Sequence, residues 1–118
     1  MTSASSSNGR RAEQRALALL DEQGLTLLAH NFRARGGEID LIARDGGTLV
    51  FIEVKYRQRD DFGGAAAALS PAQSQRIRRT ALLYLQQRGL NESRTSCRFD
   101  VILVAADGQQ CQWLRNAF

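Results

Sequence analysis

The sequence is poor in the side chains that build zinc sites, and it has no long apolar run. It contains only Cys97 and Cys111, which do not form a C-x-x-C pair, and a single histidine, His30. This composition argues against a zinc centre and favours two free thiols in a reducing compartment. No segment is apolar enough to span a membrane, and the serine-rich start lacks an apolar signal region. We therefore expect a cytoplasmic protein without a membrane partner, in which residues 1–8 are disordered and residues 9–118 form one domain.

Lysine is almost absent as well. Lys55 is the only lysine beside fifteen arginines, and the formal net charge is +4. A modest basic excess fits a nucleic-acid partner without establishing one. Arginine suits bidentate phosphate contacts, but its dominance is also typical of a GC-rich genome. The charge alone therefore leaves the partner open.

Residues 38–59 predict two strands joined by a tight turn. The second strand, Thr48–Arg57, is apolar at nearly every position until Glu53, which is typical of a strand buried on both faces. Because side chains alternate along a strand, Glu53 and Lys55 share one face. A carboxylate and an ammonium at the end of a buried strand are costly unless something pairs with them.

The turn between these strands predicts a second carboxylate beside Glu53. Asp45-Gly46-Gly47 suits a tight hairpin, since glycine adopts positive φ freely. If the loop centres on Gly46-Gly47, Asp40 falls opposite Glu53, with Cβ atoms roughly 5 Å apart. Two carboxylates at that distance repel each other unless a proton or a cation lies between them.

Local patterns predict the other elements. The first part of the chain predicts a helix over Gly9–Gln23, with Ser7 or Asn8 as its cap and Gly24 after its end. A strand over Leu25–Phe32 and a loop over Arg33–Gly37 lead to the hairpin. After the hairpin we expect a connection over Gln58–Leu69, a helix from Ser70-Pro71 to Arg88, a strand over Arg98–Ala106 and a short strand over Gln112–Leu114. The order helix, three strands, helix, two strands predicts an α/β or α+β domain, in which helices flank a central mixed sheet. The helix between the third and fourth strands allows those strands to be parallel neighbours.

Several positions have two interpretations at this level. Glu13 is either a solvated first-turn glutamate, which the residues alone favour, or a third acid aimed at the hairpin. Gly36 and Gly37 permit either a turn or a close approach to a ligand. The Gln58–Leu69 connection is a plain linker or a loop that closes over substrate. Asp100 fits a local cap better than a member of the polar cluster. Arginines of the second helix (Arg76, Arg78, Arg79 and Arg88) fit a solvated face better than a phosphate site.

An aspartate facing Glu-x-Lys on the next strand predicts divalent-metal chemistry. Mg²⁺ prefers oxygen ligands and keeps several waters, so Asp40 and Glu53 would suffice to bind it. A bound metal polarises a phosphodiester and helps to generate hydroxide from water. Lys55 would orient that water or stabilise charge developing in the transition state.

The chain also resembles a known family. The pieces that carry the resemblance are Gly9-x-x-Ala12-Glu13, Asn31-Phe32-Arg33, Gly37-Glu38-Ile39-Asp40-Leu41-Ile42, Phe51-Ile52-Glu53-Val54-Lys55-x-Arg57, Phe62-Gly63, Arg98-Phe99-Asp100-Val101 and Asn116-Ala117-Phe118. In order and spacing they are similar to the YraN family of small, largely uncharacterised bacterial proteins. That resemblance implies a restriction-endonuclease-like fold with a PD-(D/E)xK-type core, similar to archaeal Holliday-junction resolvases.

The resemblance implies roles for individual residues. Asp40, Glu53 and Lys55 match the D…ExK positions, and Glu13 matches the first-helix glutamate of the resolvase-like branch. Two departures are visible: Ile39 stands where the motif's proline would be, and Gln73 or Gln75 stands where the family commonly has a lysine. A phosphate contact from that helix is therefore not expected.

These observations lead to two function hypotheses. The first is a Mg²⁺- or Mn²⁺-dependent nuclease acting on DNA rather than RNA, including branched or recombination intermediates. Asp40, Glu53 and Glu13 would bind the metal, Lys55 would position the attacking water, and Arg33, Arg35, Arg57 and Arg59 would hold phosphates. A junction-cleaving enzyme would be a homodimer, because it must cut two symmetric strands. The second hypothesis is a non-catalytic nucleic-acid-binding or accessory protein that keeps the fold.

Overall fold

Turn-forming glycines and one proline divide the chain into elements. In the computed structural model, which describes residues 7–56, 69–107 and 109–118, these elements are α1 (Ser7–Glu22), β1 (Thr26–Ala34), β2 (Gly37–Asp45), β3 (Thr48–Tyr56), α2 (Pro71–Gln87), a short 3-10 helix (Glu92–Arg94), β4 (Cys97–Val104) and β5 (Cys111–Leu114). The order agrees with the prediction from sequence, to which the structure adds the 3-10 turn.

Several predicted boundaries are wrong, among them the end of β4, which lies at Val104 rather than Ala106. Helix α1 begins at Ser7 rather than Gly9, so Ser7 and Asn8 belong to the helix instead of capping it. The predicted loop over residues 33–37 shortens to a turn at Arg35-Gly36, because β1 continues to Ala34 and β2 begins at Gly37. The segment predicted to be disordered, residues 1–8, has two parts. Residues 1–6 lie outside the described residues, and Ser7 and Asn8 belong to α1.

Both long helices end where a glycine adopts a left-handed backbone. After α1, Gly24 has φ +80°, and the Leu25 amide donates to the Leu20 carbonyl at 3.0 Å. The Gly24 amide donates to the Asp21 carbonyl at 3.1 Å, which completes a Schellman motif. Leu20 and Leu25 are buried in the same core cluster, so the motif also fixes where the chain enters β1.

The sheet has five strands in the order β1-β2-β3-β4-β5. Neighbouring strands are antiparallel except β3 and β4, which are parallel, as the intervening helix predicts. Strand β3 is therefore central, with two strands on each side. This α+β architecture is compatible with a restriction-endonuclease-like core.

The two long helices cover opposite faces of the sheet. Helix α1 packs Ala12, Ala16 and Leu20 against the even-numbered residues of β3. Helix α2 packs against Phe51 on the other face, through buried residues at helical spacing (Ile77, Ala81, Tyr84 and Leu85). Because each face of β3 carries a helix, the strand is apolar on both sides until Glu53.

Helix α2 lies very close to the start of β2. A Cβ atom added at Gly37 would collide with Thr80 Oγ1, and the hydroxyl of Thr80 donates to the Arg76 carbonyl at 2.9 Å. Gly36 has φ +84° and open space around it, so it serves the turn. Of the two predicted roles for these glycines, Gly36 fits the turn, whereas Gly37 permits a close approach of a helix rather than of a ligand.

The described part of the chain contains no helix with the length and apolarity needed to cross a membrane. Cys97 and Cys111 are both free and half-buried, as expected for thiols that form no bridge. Trp113 and Phe118 are partly buried and each packs against one of the two core clusters.

Candidate active site

The hairpin of β2 and β3 brings Asp40 beside Glu53. The loop centres on Gly46-Gly47, since Asp45 pairs with Thr48, and the register continues to the pair Leu41 and Ile52. The ladder ends there, and the next residues along the two strands, Asp40 and Glu53, interact through their side chains. The predicted loop centre is therefore correct.

The sheet is distorted where Asp40 lies. Leu41 packs into the core beneath α1, whereas Ile39 packs into the core beneath α2, although residues two apart on a regular strand share a face. The facing residue of β1, Asn31, has φ +53° and lies between the pairs His30–Leu41 and Phe32–Ile39. A non-glycine residue in the left-handed region costs free energy and often marks a functional site.

Asp40 is held in this distortion by the neighbouring strand. It is 5% exposed, and its Oδ2 accepts a hydrogen bond from the Val54 amide at 2.9 Å. The ladder of β2 and β3 ends at the Leu41–Ile52 pair. The Asp40 carboxylate therefore accepts from a backbone amide of β3 that lies beyond the last pair of the ladder. The carboxylate thus has a fixed position between the two strands.

Glu53 lies in an environment that disfavours its negative charge. Burial and, next, the charge of Asp40 raise the pKa of Glu53 from 4.5 to about 9. Lys55 opposes this rise, with its Nζ 3.6 Å from Glu53 Oε2 on the same face of β3. At neutral pH the pair of acids therefore holds a proton or needs a cation.

Glu13 joins these acids from α1. It is 7% exposed, so the solvated interpretation of this residue is wrong. Its Oε1 accepts a hydrogen bond from Asn31 Nδ2 at 3.1 Å. Burial and then the charge of Asp40 raise its pKa, which the bond from Asn31 and the charge of His30 partly counteract.

Glu38 is a fourth acid, to which sequence reasoning gave no role. Burial and then the charge of Asp40 raise its pKa, while Arg33 lowers it, with Arg33 Nε 4.0 Å from Glu38 Oε1. The charge of Glu38 in turn contributes to the raised pKa of Glu13. Its position two residues before Asp40 was the available signal, since side chains two apart on a strand share a face. That signal does not show that Glu38 also interacts with Glu13 of α1.

The arrangement supplies oxygen ligands for a hard cation. Glu13 Oε2, Asn31 Oδ1 and Glu38 Oε2 are buried without a hydrogen-bond partner. Among the described residues, no three His, Cys, Asp or Glu side chains form a group that could hold a metal on their own. Asp40 and Glu53 nevertheless fit Mg²⁺, which is commonly bound by one or two carboxylates plus waters and substrate phosphate. Glu13 is an accessory acid beside them rather than part of a three-carboxylate cage.

The arginines predicted to hold phosphates lie near this site or outside the described residues. Arg33, near the end of β1, and Arg35, in the turn before β2, are both exposed. Arg57 and Arg59 fall within residues 57–68, outside the described part of the chain. Nearly all of the Gln58–Leu69 connection, interpreted either as a plain linker or as a loop that closes over substrate, falls there too.

Arginines of α2 make contacts of another kind. Arg78 and Arg88 stack on the rings of Phe99 and Tyr84, with the guanidinium carbon 4.6 and 4.8 Å from the ring centroids. Gln73 serves the helix start, because its side chain accepts from the Ser70 amide at 2.9 Å in a capping box. The helix thus uses these side chains for packing and capping.

Asp100 is separate from the acidic site. It is fully buried and accepts hydrogen bonds from Trp113 Nε1 at 2.8 Å, Arg98 Nε at 3.1 Å and the Asn116 amide at 3.0 Å. These bonds hold the C-terminal segment against β4. Asp100 thus stays apart from the acids, as the preferred interpretation held, but it ties the C-terminal segment to β4 instead of capping the end of a strand.

A cavity of about 400 Å³ lies away from the acids, under the first half of β3. Phe51, Phe99, Cys97 and Leu85 line it, and Glu13, Asp40 and Glu53 do not. The lining also includes Arg78, Glu92 and Thr95, so the cavity is not purely apolar. The candidate site is the cluster of acids around Asp40 rather than this cavity.

Comparison with known proteins places the chain in a family. The profile of the Uncharacterised protein family UPF0102 matches residues 12–104, which include Glu13, Asp40, Glu53 and Lys55. A UPF0102 protein of Alkalilimnicola ehrlichii is 52% identical over 110 residues, covering 93% of this chain and 85% of that protein. UPF0102 proteins of Yersinia pseudotuberculosis and Yersinia pestis are 50% identical, each covering 93% of this chain and 92% of the relative. The resemblance seen in the sequence motifs is therefore confirmed, and the chain belongs to the UPF0102 family, the YraN proteins.

Proposed function

We propose that this protein is a divalent-metal-dependent phosphodiester hydrolase of the cytoplasm that acts on DNA. The observation that carries the proposal is the placement of Asp40 beside Glu53 at a distortion of the sheet, with Lys55 Nζ 3.6 Å from Glu53. Two coupled carboxylates and one ammonium form a set of groups suited to activating water beside a phosphate.

Mg²⁺ or Mn²⁺ fits this set. Asp40 and Glu53 would hold the ion, since their carboxylates repel each other and Asp40 helps to raise the pKa of Glu53 to about 9. The bound ion would polarise a phosphodiester oxygen and lower the pKa of a coordinated water. Its charge would also replace the proton that Glu53 otherwise holds at neutral pH.

The side chains around that position have distinct roles. The Val54 amide fixes Asp40 Oδ2 at 2.9 Å, so this carboxylate is oriented before any ligand arrives. Lys55, paired with Glu53, would hold the attacking water or donate to a phosphate oxygen as negative charge develops there. Glu13 would accept a hydrogen bond from a water at the site through its unpartnered Oε2.

Exposed arginines beside the acids would bind the nucleic-acid backbone. Arg33 lies near the end of β1, and Arg35 lies in the turn that leads into β2, five residues before Asp40 in sequence. Guanidinium groups bind phosphates bidentately, which positions a substrate without reading its sequence. Branched DNA is the substrate class we favour, and a second copy of the chain would then supply the second cut.

The test is cleavage of labelled linear, single-stranded and four-way-junction DNA during titration of Mg²⁺ and Mn²⁺. Asp40→Asn keeps an oxygen acceptor for the Val54 amide but removes the charge, and we expect it to lower the cleavage rate by roughly a hundredfold or more. Glu53→Gln and Lys55→Met should have comparable effects. Glu92→Gln, on the exposed 3-10 turn, is the control and should cleave like the wild type. Undiminished, metal-dependent cleavage by Asp40→Asn would contradict the assignment.

A non-catalytic nucleic-acid-binding protein is the second candidate. What favours it is that Arg33 and Arg35 are exposed and would bind phosphates whether or not hydrolysis follows. This candidate predicts a stable complex with DNA and no product at any metal concentration. The same cleavage assay therefore separates the two functions.

A further inference from the structure

We propose that the cavity under the first half of β3 binds a small molecule that combines an apolar ring with a carboxylate. Its volume of about 400 Å³ lies within the range of small-molecule sites, roughly 300–1,000 Å³. The acids Glu13, Asp40 and Glu53 do not line it. The inference therefore names a second site and does not depend on the proposed hydrolase activity.

Two stacked phenylalanine rings form one wall of the cavity. Phe51 of β3 and Phe99 of β4 are paired in the parallel register, and their ring centroids are 5.3 Å apart with the ring planes inclined at 24°. Phe51 is fully buried, whereas Phe99 and Cys97, which lies two residues before it on β4, are only partly buried. Helix α2 thus covers β3 more completely than β4, which leaves space beside the Phe99 ring.

Apolar side chains of α2 form the facing wall. Ala81 and Leu85 are buried and Leu82 is half-buried, and all three line the cavity. Binding sites for small molecules are typically lined by apolar and aromatic groups, with a few polar groups that orient the ligand. This composition favours a ligand whose larger part is an apolar ring, which would replace water against Phe99 and Leu82.

Arg78 is the basic side chain among the described residues that line the cavity. Its guanidinium carbon lies 4.6 Å from the centroid of the Phe99 ring, and it forms no ion pair with another described residue. A guanidinium above an aromatic ring can still donate from its edge to a carboxylate, which it binds bidentately. Arg98, by contrast, already pairs with Asp45 and Asp100. Arg78 therefore identifies the charged group of the ligand as an anion, held beside the Phe99 ring.

The side of the cavity near Cys97 is unsuited to an anion. Glu92 lies there, because burial and then the charge of Glu92 raise the pKa of the Cys97 thiol. Cys97 and Phe99 are two residues apart on β4, or roughly 7 Å along the strand, so this acidic side is separate from the position of Arg78. The nearby negative charge disfavours a doubly charged group, so a carboxylate fits better than a phosphate.

The experiment is a titration of the full chain with 3-phenylpropionate, followed by NMR chemical shifts of the backbone amides. We expect a dissociation constant of roughly 1 mM or lower, with the shifts concentrated at Leu82, Cys97 and Phe99. 3-Phenylpropionamide has the same shape without the charge and should bind about tenfold more weakly. Arg78→Gln should bind both compounds equally, at the weaker level. Arg79→Gln is the matched control, because this neighbouring arginine is exposed and does not line the cavity.

Protection of Cys97 gives an independent readout of where the compound binds. In a Cys111→Ser background, in which Cys97 is the only thiol, excess 3-phenylpropionate should slow alkylation by iodoacetamide. Binding that leaves this rate unchanged would place the compound elsewhere and overturn the assignment. Absence of binding at about 10 mM would do the same, as would equal affinities of the wild type for the acid and the amide. Thermal unfolding of each variant confirms that the protein remains folded.

Discussion

Glu53 shows how a single residue can connect stability to function. Its side chain lies at the end of a central strand, beside Asp40, where burial and that neighbouring charge raise its pKa to about 9. Between pH 4.5 and 9, the folded protein therefore holds a proton that the unfolded chain has released. Folding stability must then fall as the pH rises through this window, in the absence of a cation.

This linkage predicts the pH dependence of unfolding. In a chelating buffer, the melting temperature of the wild type should fall between pH 5 and 9 relative to that of Glu53→Gln, which has no proton to lose. A difference of 1 kcal/mol in the free energy of unfolding corresponds to a shift of roughly 4 °C in the melting temperature of a domain of this size. Calorimetric melts of the two proteins check the prediction, with Glu92→Gln as a variant expected to follow the wild type. Parallel curves for the wild type and Glu53→Gln would contradict it.

At the residue scale, the sequence predicts what depends on local geometry. The Gly46-Gly47 turn fixes the hairpin register, and the register puts Asp40 beside Glu53. Glu38 could not be assigned in this way, because its interaction with Glu13 depends on a helix distant in sequence. The left-handed backbone of Asn31 is likewise invisible in the sequence, since asparagine adopts that conformation without requiring it.

At the scale of elements, the approach of α2 to β2 determines how the site strand is supported. Gly37 opens β2 and contacts α2 so closely that a Cβ would collide with Thr80 Oγ1. Thr80 is itself buried and bonded to the Arg76 carbonyl, so it has little freedom to move aside. The start of β2, three residues before Asp40, is thereby positioned by the helix.

We therefore expect Gly37→Ala to destabilise the protein by about 1–3 kcal/mol, the usual cost of overpacking. Thr80→Ala in the same chain should recover part of that stability, because it removes the atom that the new methyl group meets. Gly47→Ala is the control, since its Cβ would meet nothing within 4 Å and its backbone is not left-handed. Urea unfolding of the wild type, Gly37→Ala, the Gly37→Ala/Thr80→Ala double variant and Gly47→Ala measures the effect. Equal urea midpoints for Gly37→Ala and Gly47→Ala would refute the argument.

The elements themselves were largely predictable because their ends are chemically marked. Ser70-Pro71 starts α2 with a capping box, and Gly24 and Gly89 end the helices with positive φ. The end of β1 was not predictable, since Arg33-Ala34 carries no pattern that separates a paired strand from a loop. Pairing with Glu38 and Gly37 decides the matter, and that is a tertiary contact rather than a local preference.

At the scale of the whole molecule, the formal charge of +4 is carried almost entirely by arginine. The acids of the candidate site are gathered around Asp40, while Arg33 and Arg35 are exposed on the adjoining turn. A negatively charged polymer would thus be attracted to the same part of the molecule that needs a cation. Backbone contacts of this kind release counterions and weaken as salt is added.

The prediction is a salt-dependent affinity for DNA in chelating buffer, where no cleavage can occur through a bound metal. Replacing Arg33 and Arg35 by alanine should reduce the slope of log affinity against log salt by roughly 0.9 for each phosphate that the protein no longer neutralises. Arg44→Ala is the control, because this exposed arginine lies at the other end of β2. Fluorescence anisotropy with a labelled duplex measures the slopes. Equal slopes for the wild type and the double variant would remove these arginines from the interface.

The central position of β3 has a consequence for motion. Edge strands exchange their amide hydrogens readily through local fraying, whereas a strand flanked by two others on each side opens only when most of the domain unfolds. Glu53 and Lys55 are carried by that strand, and Asp40 is tied to it through the Val54 amide. In deuterium exchange, residues 49–52 of β3, which pair with both β2 and β4, should be among the last to lose protection, so the strand that carries Glu53 and Lys55 would stay anchored while the periphery of the sheet fluctuates.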